Sequence, residues 1–258
     1  MELPISGIEV QMCTPNGKDD LAILEAGSEP VEAALAVLPR LARMVGQHGG
    51  NGRDDAGATA VWVELTVTDF DVALLGLRRF LFGDTVTCLF RCPSETCGQR
   101  LEPAFSIAAF LDEVKPNVPK HVKPSADRAG WFNLSREGDD TVQFRLPTVG
   151  DQVQVMGRRH AFQLLSQRCI DAKDLSARGL AQVERAMAAM APVVSRPMEG
   201  ICPECGERVA MPLHVPSLVM DELKDSAATI HEEIHAIAET YHWDEATILA
   251  MQIGRAHV

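Results

Sequence analysis

The chain has 258 residues, 46% of them apolar and only 5% aromatic, and its 36 acidic and 24 basic residues give a net charge of −12. That length holds one large domain or two small ones. The acidic balance argues against a nucleic-acid binder, which needs Lys and Arg to meet phosphates, and no apolar run of about 18 residues is present to cross a membrane.

In chain order, residues 5–12 alternate loosely and predict a strand ending at the turn signal Thr14-Pro15-Asn16-Gly17. Residues 31–45 have helical composition, with Pro39 placed to kink or split the helix. A glycine-rich loop is expected over 46–57; its Asp54-Asp55 pair lacks the regular oxygen spacing of a calcium loop. Residues 61–67 alternate like a strand, and Thr68 or Asp69 is placed to cap a helix over 70–80. Residues 85–91 read as a strand feeding Arg91-Cys92-Pro93-Ser94-Glu95-Thr96-Cys97-Gly98-Gln99-Arg100-Leu101, and residues 101–105 lead out of it.

That segment has a near copy in Ile201-Cys202-Pro203-Glu204-Cys205-Gly206-Glu207-Arg208-Val209. Each reads as a zinc knuckle: the proline shapes the turn, and the glycine after the second cysteine permits a positive φ. One knuckle supplies two thiolates, whereas structural Zn²⁺ takes four ligands in a tetrahedron. Cys92, Cys97, Cys202 and Cys205 are therefore expected to hold one structural zinc. Seven cysteines is an odd number and no apolar leader follows Met1, so metal-bound thiolates in a reducing cytoplasm are expected rather than disulfides. Cys13 and Cys169 sit near apolar residues and read as core, and Cys88 reads as core or as a substitute ligand.

Between the knuckles, residues 116–130 carry Pro116, Pro119 and Pro124 and read as a linker or long loop. Two short strands follow, 131–134 and 141–146, joined by a polar turn over 137–140. Thr148 and Asp151 resemble a capping box opening a helix that runs to about residue 169. A second helix near 176–191 places Leu180, Val183, Met187 and Met190 on one stripe.

After the second knuckle, His231-Glu232-Glu233-Ile234-His235 matches H-E-x-x-H, in which two histidines on one helical face bind zinc and the glutamate acts as general base. A zinc metallopeptidase is the alternative function this motif offers. It lacks a third ligand: His242 lies roughly 10 Å further along a continuous helix, and residues 236–241 contain no glycine to turn the chain back. The competing reading is an apolar stripe of Leu223, Ala227, Ile230, Ile234, Ile237 and Tyr241 with the histidines on its edge.

The stretch 233–249, with Tyr241-His242-Trp243 followed by Asp244 capping a short helix that carries Ile248-Leu249, resembles the C-terminal signature of baseplate-hub assembly chaperones of contractile phage tails and related injection systems. Residues 144–151, leading to Leu164-Leu165 and Arg168-Cys169, are similar to that family's strand-to-helix turn, and residues 65–83 to its N-terminal signature. Residues 250–258 depart from the Leu-Pro and arginine tail usual in the family. The resemblance implies a noncatalytic assembly factor, chaperone or minor component, that binds baseplate or tail proteins in the cytoplasm, with or without a place in the finished particle. No nucleic acid or membrane partner is implied, and oligomeric state is left open. Tyr241, Trp243, Ile248 and Leu249 are candidate partner contacts, since aromatic anchors dominate interfaces; core of the terminal helix pair is the other reading.

The expected architecture is α+β. An N-terminal α/β region (1–84) precedes the first half of a four-cysteine zinc ribbon (85–115). A linker, hairpin and helical insertion (116–195) interrupt the ribbon, its second half (196–216) follows, and a C-terminal helix-turn-helix closes the chain (217–258).

Overall fold

The computed structural model describes residues 1–45, 56–135, 141–172 and 175–252. The expected glycine-rich loop therefore lies almost wholly outside the described residues, as does the turn expected over 137–140. The fold is mixed α+β with small antiparallel sheets.

The strand expected over 5–12 shortens to β1 (Val10–Met12). The Asn-Gly turn signal instead opens α1 (Gly17–Glu25): Asn16 accepts from the N–H groups of Lys18 and Asp19, and the Asp19 carboxylate accepts from Asn16 N–H. The glycine serves a close approach, because a Cβ at Gly17 would sit 3.0 Å from the Leu249 Cα. Next come α2 (Pro30–Leu41) and β2 (Ala42–Met44), which pairs antiparallel with β1. Pro39 lies in the last turn of α2 and forgoes the bond its N–H would give to Leu35 O, but Ala42 N–H still reaches Leu38 O, so the helix is not split and the chain leaves it as a strand.

The strand expected over 61–67 is absent. Residues there belong to α3 (Ala56–Val63) and to the start of α4 (Val67–Phe82). Val61, Val63 and Val67 suggest β structure, yet Trp62 is buried within α3 and Leu65 is buried in the bend between the helices, where its carbonyl accepts from Val149 N–H. Thr66 rather than Thr68 or Asp69 caps α4, accepting from Asp69 N–H. Asp69 is buried and turned to another task, accepting from Ile5 and Ser6 N–H at 2.9 Å each.

From α4 the chain enters β3 (Thr85–Thr87) and β4 (Phe90–Arg91), turns through the first knuckle, and returns as β5 (Arg100–Leu101) and β6 (Ala104–Ser106). The inner strands pair with each other, as do the outer ones. After the short α5 (Ile107–Asp112) comes β7 (Val122–Pro124), in the stretch expected to be unstructured. It is the edge of a four-stranded antiparallel sheet, paired with residues 132–134, where a proline is tolerated. The other strands are β8 (Trp131–Ser135), β9 (Thr141–Arg145) and β10 (Ile170–Asp171).

The single helix expected over 148–169 is two, α6 (Val149–Val155) and α7 (Ala161–Cys169), separated by a turn in which Gly157 and His160 both have positive φ. The Thr148–Asp151 capping box forms as expected, and Asp151 also binds Arg145 and Arg168. Helix α8 (Ala177–Met190) covers the sheet, with Val183, Ala186 and Met190 packed on Val142 and Phe144. The second knuckle lies between β11 (Met198–Ile201) and β12 (Arg208–Met211).

The chain then forms α9 (Val215–Ala227), α10 (Ile230–Tyr241) and α11 (Glu245–Leu249), with Asp244 capping α11. The apolar stripe read as one helix is thus divided at residues 228–229. Helix α9 packs against α1, α2 and α4, so a helix that follows the second knuckle completes the core begun by the N-terminal helices. Among the described residues, no helix is long and apolar enough to cross a membrane.

Candidate metal centre

The two knuckles fold alike because their turn chemistry is alike. In the first, Cys92 N–H donates to Gln99 O, and the N–H groups of Cys97 and Gly98 donate to Ser94 O. In the second, Cys202 N–H donates to Glu207 O and Gly206 N–H to Cys202 O. Gly98 and Gly206 have φ of 55° and 74°, values costly for a residue with a Cβ. Each hairpin thereby turns its two thiols inward, and the hairpins face each other.

The Cys92 and Cys205 sulfurs are 3.6 Å apart, those of Cys97 and Cys202 are 3.9 Å apart, and all four lie within 4.8 Å of one another. Sulfurs at about 2.3 Å from a common ion in a tetrahedron are about 3.8 Å apart, so the set matches four-coordinate metal binding. Among the described residues, these cysteines are the one group of His, Cys, Asp or Glu close enough to hold a metal ion. Phe90, Leu101 and Val209 pack around them.

The electrostatics point the same way. Cys202 is lowered to about 7, first by the backbone N–H of Cys205 and then, against burial, by that of Glu204. Cys92 goes up to about 12: the N–H of Ser94 favours its thiolate, but burial and the sulfurs of Cys205, Cys202 and Cys97 outweigh that help. The Cys202 thiolate forms readily, and Cys92 and Cys205 then resist ionising. A cation among them removes the conflict.

The remaining cysteines stand apart. Cys88 packs against the main core, so it is no ligand, and Cys169 is buried with its Sγ 3.8 Å from an Asp151 oxygen.

The centre is tied to the main core by a residue the sequence did not single out. Arg78, near the end of α4 and 6% exposed, donates to the carbonyls of Gly83 and Thr85, which lead into β3. Its Nε and Nη2 also pair with the two carboxylate oxygens of Glu222 on α9, at 2.7 and 3.1 Å. The approach to the first knuckle and the helix leaving the second are thus held by one guanidinium, 144 positions from its partner, a separation no local pattern could reveal.

His231 and His235 are exposed on α10; His235 faces Glu239 at 4.0 Å, and no third ligand joins the two histidines among the described residues. The four candidate partner contacts separate. Ile248 and Leu249 are buried, Ile248 against Ile230 and Leu249 over Gly17, so both are core. Tyr241 and Trp243 are exposed, their rings 5.4 Å apart between centroids. The left-handed turn at His242, which ends α10, brings them together.

Comparison with known proteins finds no matching family model, curated protein or solved structure.

Proposed function

We propose that the chain is a noncatalytic, zinc-stabilised assembly factor, chaperone or minor component, for the baseplate hub of a contractile, phage-tail-like particle. The observation that carries the zinc-stabilised reading, and that argues against catalysis at this metal, is the four-thiol cluster, with all sulfurs within 4.8 Å. A metal bound by four protein sulfurs has no position left for substrate or reactive water, and its contribution is to folding. An all-sulfur tetrahedron suits zinc or iron, and paired Cys-turn-Gly knuckles favour zinc.

Partner binding is supported by the exposed Tyr241–Trp243 pair, because aromatic rings held side by side in water are the usual anchors of interfaces. The partner class, baseplate or tail proteins, rests on the resemblance of residues 233–249, 144–151 and 65–83.

Elemental analysis tests the metal: one zinc per chain is expected, lost in Cys202→Ser and kept in His231→Ala. Iron in its place, or a second metal lost in His231→Ala, overturns this assignment. Co-purification of the metal-loaded chain with hub proteins of the same particle tests the assembly role. A stoichiometric complex is expected, weakened about tenfold or more by Trp243→Ala. Hub proteins that ignore the metal-loaded chain remove the assembly role and leave the metal assignment standing.

A further inference from the structure

The exposed aromatic pair on the last two helices stands in a setting of one charge. Tyr241 is 61% and Trp243 45% exposed, with ring planes 34° from parallel. The turn that carries them is tied at both ends. His242 closes α10 at φ 57° with its N–H bonded to Ala238 O, and Asp244 caps α11 through the N–H and hydroxyl of Thr247. Beneath them, Ile234 and Ile237 of α10 and Ile248 of α11 pack with Leu21 and Leu24 of α1. The rings are held out on an anchored turn, so a partner meets them with little ordering left to do.

Residues 225–252 hold six acidic side chains and no lysine or arginine, which is half of the chain's net charge of −12 in 28 residues. Glu239 lies two residues before Tyr241, and Asp244 and Glu245 directly follow Trp243. Asp244 is committed to Thr247, and Glu233 to the Thr229 hydroxyl. Glu232, Glu239 and Glu245 are exposed, and Glu239 faces His235 at 4.0 Å. Of the lysines on the adjoining helices, Lys224 of α9 donates to Gly27 O, and Lys18 of α1 is matched by Glu25, both exposed. Electron-rich ring faces beside carboxylates in water attract a cation. A guanidinium suits both at once, because it stacks flat on a ring while its fork of donors meets a carboxylate.

We infer that this face docks an arginine-bearing segment of a partner protein, with a guanidinium against the Tyr241–Trp243 rings and the carboxylates of Glu239 and Glu245 beside it. The inference rests on the reading of this pair as a partner contact and adds the partner's chemistry. An acidic segment is repelled by the face. A neutral one gains ring contact alone, and a lysine ammonium has no plane to stack.

The test is fluorescence anisotropy with three labelled short peptides of one repeating pattern, alanine-leucine-X, where X is arginine, glutamine or glutamate. Each is titrated with the full, metal-loaded chain, and amide shifts are mapped by NMR. Three histidines share the face, His231, His235 and His242, so the titrations are run at about pH 8, where imidazole is ordinarily uncharged. The arginine peptide is expected to bind about tenfold tighter than the glutamine peptide, and the glutamate peptide more weakly still. Shifts should centre on residues 239–245. Trp243→Ala should weaken the arginine peptide about tenfold, and Glu239→Gln with Glu245→Gln should remove most of the preference for arginine. These side chains are exposed, so circular dichroism should not change in either variant. Equal binding of the arginine and glutamine peptides, a preference that survives the double glutamine variant, shifts centred elsewhere, or no binding would each overturn the inference. So would a dimer of the chain, seen by sedimentation and lost in Trp243→Ala, since a second copy would then occupy the face. A hub-protein complex that needs Trp243 but is indifferent to the two glutamines strikes this inference and leaves the assembly reading standing. An arginine peptide bound at residues 239–245, with no hub protein bound, does the reverse.

Discussion

The cysteine centre and the helical core beside it are stabilised by different means. The core encloses Leu38, Phe70, Leu74, Leu75 and Leu223, none more than 1% exposed, and each such side chain contributes roughly 1.5–3 kcal/mol on burial. The centre buries little beyond Leu101, Val209 and two of its own cysteines, between hairpins whose strands are two to four residues long. Hairpins of that size do not hold in water unaided. The core is a solvent-exclusion structure, whereas the centre has the geometry of a coordination structure; on the proposed reading, the second needs an ion and the first does not.

Removing the metal is the strongest way to break this comparison. With a chelator, or in Cys202→Ser, hydrogen-exchange protection at residues 90–101 and 198–211 should fall to that of open chain, a loss of several kcal/mol. Protection in α4 and α9 should persist; its collapse at the same rate would show one cooperative unit instead of two. Truncating the core gives the converse. Leu75→Ala should cost about 3–4 kcal/mol in denaturant unfolding while retaining one bound metal per chain.

Acid separates the regions by sign. Asp71 holds its proton up to about 6 in the folded chain because of burial, against an ordinary value of 3.8. Its contribution to stability is therefore full below pH 3.8 and is lost as pH rises to 6, by about 2–3 kcal/mol. Asp151 behaves oppositely. Burial opposes its charge, but Arg145, Thr148 N–H and Arg168 hold it below the ordinary carboxylate range, so its stabilisation fades only at lower pH. Metal binding by thiolates weakens as pH falls. Between pH 6 and 4 the core should gain stability while the centre loses its ion, and Asp71→Asn should flatten the core's slope in a pH series of urea melts.

Cutting the tie between the regions is a smaller perturbation. Arg78→Met strands two carbonyls and Glu222, and should cost about 2 kcal/mol. A fall in metal affinity measured by competition with a chelating dye would show that α4 and α9 pre-position the knuckles; unchanged affinity would show that the hairpins find each other alone. His231→Ala, on the exposed face of α10, should change neither stability nor metal content beyond about 0.5 kcal/mol.

What could be read from the sequence follows the range of the forces involved. The knuckles were legible because four ligands and two turn glycines sit within short repeats, and the capping box at Thr148 because its partners are three residues apart. Helix α1 hid behind Asn16-Gly17, since the same pair that makes a tight turn also makes a cap and a close contact with Leu249. Strand β7 hid behind Pro124, which an edge permits. Trp62 reads as strand because three valines surround it, whereas the bend after α3 is held by residues 147–149, too far along the chain for a local pattern to show. Arg78 with Glu222, and Asp71 with Ser195, are pairings across more than a hundred residues, made by the fold and not by any local pattern.

The division of the metal site into two distant halves also has a consequence in time. As the chain is synthesised, Cys92 and Cys97 emerge about 105 residues before Cys202, an interval of about 5–20 s at ordinary elongation rates. Through that interval the first hairpin has two sulfurs and no partners, so a four-sulfur site can close on an ion only after Cys205 has emerged.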